Sequence, residues 1–121
     1  MEIDPKYVTA LNNKGVAFGI LGKYEEAITW FDKALDIDPK DVDALVAKGA
    51  VLAILGKYEE AITWYDKILE IDPKDVDALY YKAALLANLH KNEEALTWID
   101  KALTIDPTNQ LILDAKEELQ R

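Results

Sequence analysis

The chain has 121 residues, of which 50% are apolar and 31% are charged, with no cysteine and a net charge of −9. This composition is typical of a soluble folded protein, and it excludes disulfides, thiolate metal sites and a cysteine nucleophile. Since no basic patch is present, a phosphate backbone would be repelled, and we expect no nucleic-acid partner. The start Met1–Tyr7 lacks a signal-peptide core and the longest apolar stretch, Ala50–Leu55, is too short for a bilayer. We therefore expect a cytoplasmic protein without membrane contact.

Internal repetition is the strongest feature of the sequence. The segment Ile20–Trp30 recurs letter for letter at Ile54–Trp64, and a weaker copy lies at Asn88–Trp98. The offset between successive copies is the same both times, and a fixed period of this length is the signature of a repeat architecture. The chain is therefore predicted to be one domain of three units followed by a terminal segment: Val8–Asp41, Val42–Asp75, Val76–Asn109 and Gln110–Arg121.

Each of the three units predicts two helices. In the first unit, a first helix is expected to end at Gly22, and a second one to end before the dipeptide Asp38–Pro39. In the second unit, Asp41 precedes an apolar-periodic run as an N-cap, and Gly56 ends that helix by turning left-handed. The next helix ends before Asp72–Pro73, because the residue before proline resists the helical conformation.

The third unit follows the same plan with Asp75 as N-cap and Asp106–Pro107 as the end. His90 replaces the turn glycine, and histidine tolerates a positive φ better than most residues. Asn109 then caps a last helix, which is either a terminal cap or the first half of a fourth repeat. Its polar end, Lys116–Arg121, suits a cap. No stretch alternates with period two, so the sequence predicts an all-α protein of seven helices.

A helix pair of this size cannot bury its own apolar face, so the pairs must stack on one another. Small residues recur in frame where two helices would need to approach closely: Gly15, Gly49 and Ala83, and Ala27, Ala61 and Ala95.

These recurring residues resemble the tetratricopeptide repeat (TPR). The resemblance covers all three units, and a leading remnant at Ile3–Tyr7 matches the end of a repeat. It implies a right-handed superhelical solenoid of antiparallel helix pairs, in which the first helices line a concave groove that binds partner peptides. The residues that carry it are Gly15, Ala27, Phe31 and Pro39, then Gly49, Ala61, Tyr65 and Pro73, then Ala83, Ala95, Ile99 and Pro107.

The sequence departs from the family pattern in ways that leave the predicted fold unchanged. In the third unit, His90 and Asn92 replace a glycine and a tyrosine. In all three units, leucines stand where the family often has tryptophan, and lysines where it often has leucine: Leu11, Leu45 and Leu79, and Lys14, Lys48 and Lys82.

The first helices carry a second apolar stripe that stacking does not require. The segment Ala44–Leu55 has one charge, Lys48, whereas the second helices are charged on their outer sides. A contiguous apolar patch of this kind marks an interaction site, and tyrosine is a frequent anchor there. The alternative is alanine-rich packing buried by tight curvature. The predicted groove residues are Asn12, Val16, Gly19 and Ile20, then Val46, Ala50, Ala53 and Ile54, then Tyr80, Tyr81, Ala84, Ala87 and Asn88.

The same stripe predicts the kind of partner. One TPR subtype clamps the C-terminal carboxylates of chaperone tails, and its clamp positions fall here on Asn12, Val16, Ala47, Asp77 and Tyr81. None of these is basic, so a chaperone tail is not expected. A protein or peptide with apolar contact residues, helical or extended, and with basic flanks suits the acidic rims.

Near-identical units leave a different class of function open. The chain could be a structural or designed repeat module without a dedicated ligand, self-associating head to tail through its terminal helices.

No set of residues supports catalysis, a metal site or a cofactor. His90 is the single histidine, serine is absent, and no glycine-rich phosphate loop is present. The acidic segments Asp36–Asp43 and Glu70–Asp77 lack the glycine and bidentate glutamate of a calcium loop. We therefore expect no enzyme activity, no metal and no cofactor. The three tryptophans share one place in each unit and are expected to pack rather than bind a ligand: Trp30, Trp64 and Trp98.

Overall fold

The computed structural model describes residues 4–121, so Met1–Ile3, with the start of the predicted repeat remnant, lie outside the described residues. Within residues 4–121 the chain forms seven helices and no strand, which confirms the predicted all-α class. No helix in this range is both long enough and apolar enough to cross a membrane. The helices are α1 (Pro5–Ile20), α2 (Tyr24–Ile37), α3 (Val42–Ile54), α4 (Tyr58–Ile71), α5 (Val76–Asn88), α6 (Asn92–Ile105) and α7 (Gln110–Gln120).

Polar caps begin the first helix of each pair. The Asp41 carboxylate accepts a hydrogen bond from the Ala44 backbone N–H at 3.2 Å, and Asp75 accepts one from Ala78 at 3.1 Å. Asn109 caps α7 in the same way. A cap of this kind contributes about 1 kcal/mol to stability. Because Asp41 and Asp75 act as caps, no bound ion is needed to explain them.

The turns and ends of the helices lie where the sequence places them. Gly22 and Gly56 have φ of 76° and 78°, and His90 adopts a φ of 63°, which confirms its interpretation as a turn residue. The helices α2, α4 and α6 each end at the isoleucine before an Asp-Pro dipeptide, as predicted: Ile37, Ile71 and Ile105.

Within each pair, the two helices cross at a place with no room for a larger side chain. A Cβ atom on Gly15 would lie 2.5 Å from Cε1 of Phe31, and one on Gly49 would lie 2.8 Å from Cε2 of Tyr65. Ala61 in α4 is fully buried. Each helix packs mainly against its neighbours along the chain, so the pairs form one continuous two-layer array.

Between successive pairs, an ion pair recurs with the period of the repeat. It joins a lysine of α3, α5 or α7 to an aspartate of the helix that precedes it along the chain, α2, α4 or α6. The N–O distances are 2.5 Å for Lys48–Asp32, 2.6 Å for Lys82–Asp66 and 2.9 Å for Lys116–Asp100. The first two lysines are largely buried, so these pairs are more shielded from solvent than typical surface salt bridges.

The first two of these lysines also lie over the faces of tryptophan rings. Lys48 Nζ is 4.0 Å from the ring centroid of Trp64, and Lys82 Nζ is 3.8 Å from that of Trp98. Each tryptophan is half-buried and packs against a core cluster, Trp30 against one that includes Ala44 of the next pair. The predicted packing role of the tryptophans is therefore confirmed, and cation–π contacts add to it.

The helix crossing should tolerate no added bulk. We expect Ala61→Leu to lower the free energy of unfolding by about 1–3 kcal/mol, because the extra methylenes would overpack a fully buried site. Urea denaturation followed by circular dichroism measures this change. Ala10→Leu is the matched control, since Ala10 is exposed on α1. Equal stability of the two variants would show that the crossing is not tightly packed.

Candidate functional site

Two cavities lie on either side of α5. The first, the α3/α5 cavity, has a volume of about 290 Å³, and its lining is almost entirely apolar. A pocket of this size accommodates one or two side chains of a ligand. Its lining residues are Ala50, Ala53, Ile54, Tyr65, Tyr81, Ala84, Leu85 and Asn88.

The second, the α5/α7 cavity, has a volume of about 230 Å³. Ala84 and Asn88 line both cavities, so the two are adjacent and separated only by the exposed edge of α5. Glu118 places a carboxylate at the α5/α7 cavity. The lining residues are Tyr80, Ala83, Ala84, Ala87, Asn88, Ile99, Ala115, Glu118 and Leu119.

Eight of the thirteen predicted groove residues line these two cavities: Ala50, Ala53, Ile54, Tyr80, Tyr81, Ala84, Ala87 and Asn88. Sequence reasoning missed the contributions of the second helices and of α7, such as Tyr65, Ala115 and Leu119. Ala115 occupies the place of Tyr81 one repeat later, which could have indicated that α7 lines the groove as the earlier first helices do.

The predicted residues of the first unit lie in a different environment. Val16 and Ile20 are exposed, Ile20 by 81%, and Gly19 is half-buried. Asn12 is 9% exposed, and its Nδ2 donates a hydrogen bond to Asp41 Oδ2 at 2.6 Å. This bond links Asn12 to the cap of α3, so its amide nitrogen is already engaged within the fold.

In the second unit, Val46 is half-buried and packs against the core cluster that contains Leu45 and Tyr65. Its side chain therefore contributes to the core as well as to the first-helix surface.

Three tyrosines form the wall between α4 and α5. The ring centroids of Tyr65 and Tyr81 are 5.5 Å apart, and so are those of Tyr80 and Tyr81. Tyr81 is 43% exposed whereas Tyr65 is buried. Burial raises the pKa of Tyr65 to about 12, and the neighbouring Tyr81 adds to the shift. The exposed Tyr81 ring, supported from behind by Tyr65, is a rigid apolar surface with a polar tip, which suits ligand contact.

Residues 21–102 match the family model described as anaphase-promoting complex, cyclosome, subunit 3, and the match spans more than half of the chain. The chain therefore belongs to this family of tetratricopeptide-repeat proteins. No curated protein matches the chain.

Solved structures with the same fold include proteins that bind peptides. The first TPR of Spaghetti (RPAP3) bound to the HSP90 peptide SRMEEVD has a TM-score of 0.88 and 22% identity, with 99% of this chain and 95% of that chain covered. YrrB, a TPR protein with an unusual peptide-binding site, has a TM-score of 0.83 and 28% identity over 97% of this chain and 58% of that one.

MamA from Desulfovibrio magneticus RS-1 has a TM-score of 0.82 and 27% identity over 93% of this chain and 63% of that one. The chain thus spans less than two thirds of the YrrB and MamA structures. Together with the family match, these likenesses identify the fold as a TPR solenoid and the chain as a protein–protein interaction scaffold.

The raised pKa of Tyr65 makes stability depend on pH in the alkaline range. Its pKa is about 12 in the folded chain against 10.0 for a free tyrosine, so between these values the unfolded state loses its proton first. This contribution to the free energy of unfolding is therefore complete below about pH 10 and is lost as the pH rises toward 12.

As the pH rises from about 10 to 12, the free energy of unfolding should fall less in Tyr65→Phe, which lacks the titrating hydroxyl group, than in Tyr7→Phe, which retains it. Tyr7→Phe is the control because the Tyr7 side chain is 57% exposed. Urea denaturation at a series of alkaline pH values measures both. An identical pH dependence in the two variants would contradict the assignment to Tyr65.

Proposed function

We propose that the chain binds an extended peptide segment of a partner protein, with one apolar side chain of the peptide in each cavity beside α5. The observation that carries this proposal is the adjacency of two apolar cavities that share Ala84 and Asn88. Since the α3/α5 and α5/α7 cavities lie on opposite sides of one helix, their centres are roughly 10 Å apart, the diameter of a helix. A polyproline-type extended segment rises about 3.1 Å per residue with three residues per turn, so residues i and i+3 match this spacing on one face.

Asn88 favours an extended peptide over a helical one. It is exposed between the two cavities, and within residues 4–121 its side chain forms no hydrogen bond. Its amide carries both donors and an acceptor, which can pair with the free backbone N–H and C=O of an extended segment. A helical peptide would offer few such groups, because its interior backbone is already paired.

The negative charge of the chain determines which residues are favoured on either side of the apolar pair in the peptide. The chain has a net charge of −9, and Glu118 borders the α5/α7 cavity. Basic residues on either side of the apolar pair would therefore be attracted, and acidic ones repelled. We keep the cytoplasm as the predicted compartment for this interaction.

A self-stacking module is less well supported. Exposed leucines on α7, Leu111 and Leu113, favour contact with another molecule. Yet Glu117 occupies the place of Ala83 one repeat later, at the crossing position where the earlier first helices have glycine or alanine. A further helix packed there as α6 packs on α5 would bury the Glu117 carboxylate, whose ion pair with Arg121 at 3.6 Å is solvent-exposed, and burying such a charge is costly. This favours a capping role for α7.

A charge in the α3/α5 cavity should weaken peptide binding strongly without unfolding the chain. Ile54 is 61% exposed at this cavity, so Ile54→Glu should cost little stability while blocking the apolar contact. The probe is a fluorescent peptide with two leucines three residues apart, threonines between them and lysines at both ends, measured by fluorescence anisotropy. We expect at least tenfold weaker binding, on the order of 1.4 kcal/mol.

The matched control is Ile71→Glu, because Ile71 is also exposed, by 41%, but lines neither cavity. If both variants bind as the unchanged chain does, or if Ile54→Glu melts much earlier than Ile71→Glu, the groove is not the binding site. A helical probe with leucines seven residues apart that binds more tightly would overturn the extended conformation of the peptide.

An acidic chaperone tail should be a poor ligand. None of the clamp positions Asn12, Val16, Ala47, Asp77 and Tyr81 is basic, so nothing there offers a charge-assisted donor to a terminal carboxylate. Titration calorimetry with the peptide SRMEEVD, which the Spaghetti (RPAP3) domain binds, is expected to show no binding at micromolar chain concentrations. Micromolar affinity would overturn the predicted preference for basic flanks.

A further inference from the structure

The middle helix pair carries a hydroxyl group at its crossing that the other two pairs lack. Tyr65 occupies this place in α4, whereas Phe31 occupies it in α2 and Ile99 in α6. All three side chains are buried, so an apolar side chain without a hydroxyl group fills this place equally well. The packing of the crossing therefore does not explain the hydroxyl group of Tyr65.

This hydroxyl group has no partner in the described part of the chain. Among the hydrogen bonds that side chains of residues 4–121 form, none involves Oη of Tyr65. In the same range, the one fully enclosed side-chain nitrogen or oxygen without a partner is Oδ1 of Asn12, so Oη of Tyr65 still reaches open space.

The open space beside Tyr65 is the α3/α5 cavity, which its side chain lines although the residue is only 3% exposed. A ligand group that enters the cavity removes water from this hydroxyl group. Affinity is lost unless the ligand replaces the hydrogen bond that water makes there. The cavity therefore favours a ligand side chain with a polar tip over a purely aliphatic one.

The other residues of the lining determine which polar tip fits. Within residues 4–121, no charged side chain lines the α3/α5 cavity, so a carboxylate or ammonium group would lie there unpaired, which is costly. The tip is therefore neutral. Because burial raises the pKa of Tyr65 to about 12, its hydroxyl group is protonated at neutral pH and can both donate and accept a hydrogen bond.

The walls of the cavity favour an aromatic ring behind that tip. The exposed ring of Tyr81 borders the cavity, and offset or edge-to-face packing of a second ring adds to the gain from buried area. Ala50, Ala53 and Ala84 line the same cavity with small side chains that leave room for a ring. An amide side chain such as glutamine could pair with the hydroxyl group but would forgo the ring contact.

We propose that the α3/α5 cavity binds a tyrosine of the partner peptide, with its ring against Tyr81 and its hydroxyl group paired with that of Tyr65. The inference rests on the proposed function, since it names the residue that one of the two cavities selects. A site that pairs with a ligand hydroxyl group disfavours the analogue without it, so phenylalanine binds more weakly. In the α5/α7 cavity the equivalent place holds Ile99, which cannot form this hydrogen bond.

The test compares tyrosine with phenylalanine, because the two side chains differ only by the hydroxyl group. Either leucine of the two-leucine probe is replaced by tyrosine or by phenylalanine, so that both directions of the bound peptide are covered. At one of the two positions, fluorescence anisotropy should show about fivefold tighter binding of the tyrosine peptide, the effect of a typical neutral hydrogen bond. The position that responds identifies the direction of the peptide.

Tyr65→Phe should remove this preference, so that the tyrosine and phenylalanine peptides bind equally. Since Phe31 fills the same place in α2, this variant is expected to fold. Tyr58→Phe is the matched control, because Tyr58 lies in the same helix, is half-buried and lines neither cavity. It should keep the fivefold preference.

Two further measurements report on the same hydrogen bond. In the ¹³C NMR spectrum of the chain, the Cζ signal of Tyr65, assigned by its loss in Tyr65→Phe, should move with the tyrosine peptide and stay in place with the phenylalanine peptide. A peptide with phosphotyrosine should bind at least tenfold more weakly than the tyrosine peptide, because the phosphate would bring negative charge to a cavity without a cation.

The outcomes separate this inference from the proposed function. Equal binding of tyrosine and phenylalanine at both positions, a preference that persists in Tyr65→Phe, or tighter binding of a glutamine peptide would each overturn the tyrosine assignment. If the leucine probe still responds to Ile54→Glu in that case, the groove function stands without it. If no probe binds at all, both proposals are wrong.

Discussion

The close crossing of the two helices in each pair is the constraint on which the structure depends. At Gly15 and Gly49 an aromatic ring of the second helix occupies the space of the missing Cβ atom. The ring of Phe31 or Tyr65 is thereby buried inside its own pair, and the remaining apolar surface of each pair is covered by the next pair. Stacking is therefore a consequence of the crossing, because no pair alone buries enough surface to be stable.

The same crossing explains why the groove is apolar and shallow. The first helices turn one stripe toward their partner helices and leave a second stripe, rich in alanine, on the open side. Small side chains there leave space, and Tyr65 and Tyr81 close the α3/α5 cavity from the side. The apolar surface thus results from the packing geometry of the helices, and the larger residues Tyr65 and Tyr81 determine its shape.

Most of the fold could be predicted from the sequence, because each local signal agrees with the period. The caps Asp41 and Asp75, the turn residue His90 and the Asp-Pro ends all lie where the pattern places them. The groove was predictable only in part. Which first-helix residues are open depends on the packing between pairs, and the burial of Asn12 against Asp41 requires a contact between distant parts of the chain that no periodic pattern shows.

The lysine–aspartate pairs were also absent from the sequence reasoning, although both partners recur once in every repeat. Lys48 was recognisable as the only charge in the segment Ala44–Leu55, but its partner Asp32 lies on a different helix. The period of the sequence identifies the equivalent lysines and the equivalent aspartates. Which lysine pairs with which aspartate depends on how far one helix pair is shifted along the next.

The placement of one tryptophan per unit has a consequence for cooperativity. In a linear array, unfolding is governed by the stability of each unit and by the coupling between neighbours, and the ends open more readily than the middle. Trp30, Trp64 and Trp98 each lie between two lysines, and Trp30 also stacks on the ring of Phe18. Each unit therefore contains its own fluorescent reporter, and differences in the unfolding midpoints of the three signals would measure nearest-neighbour coupling along the array.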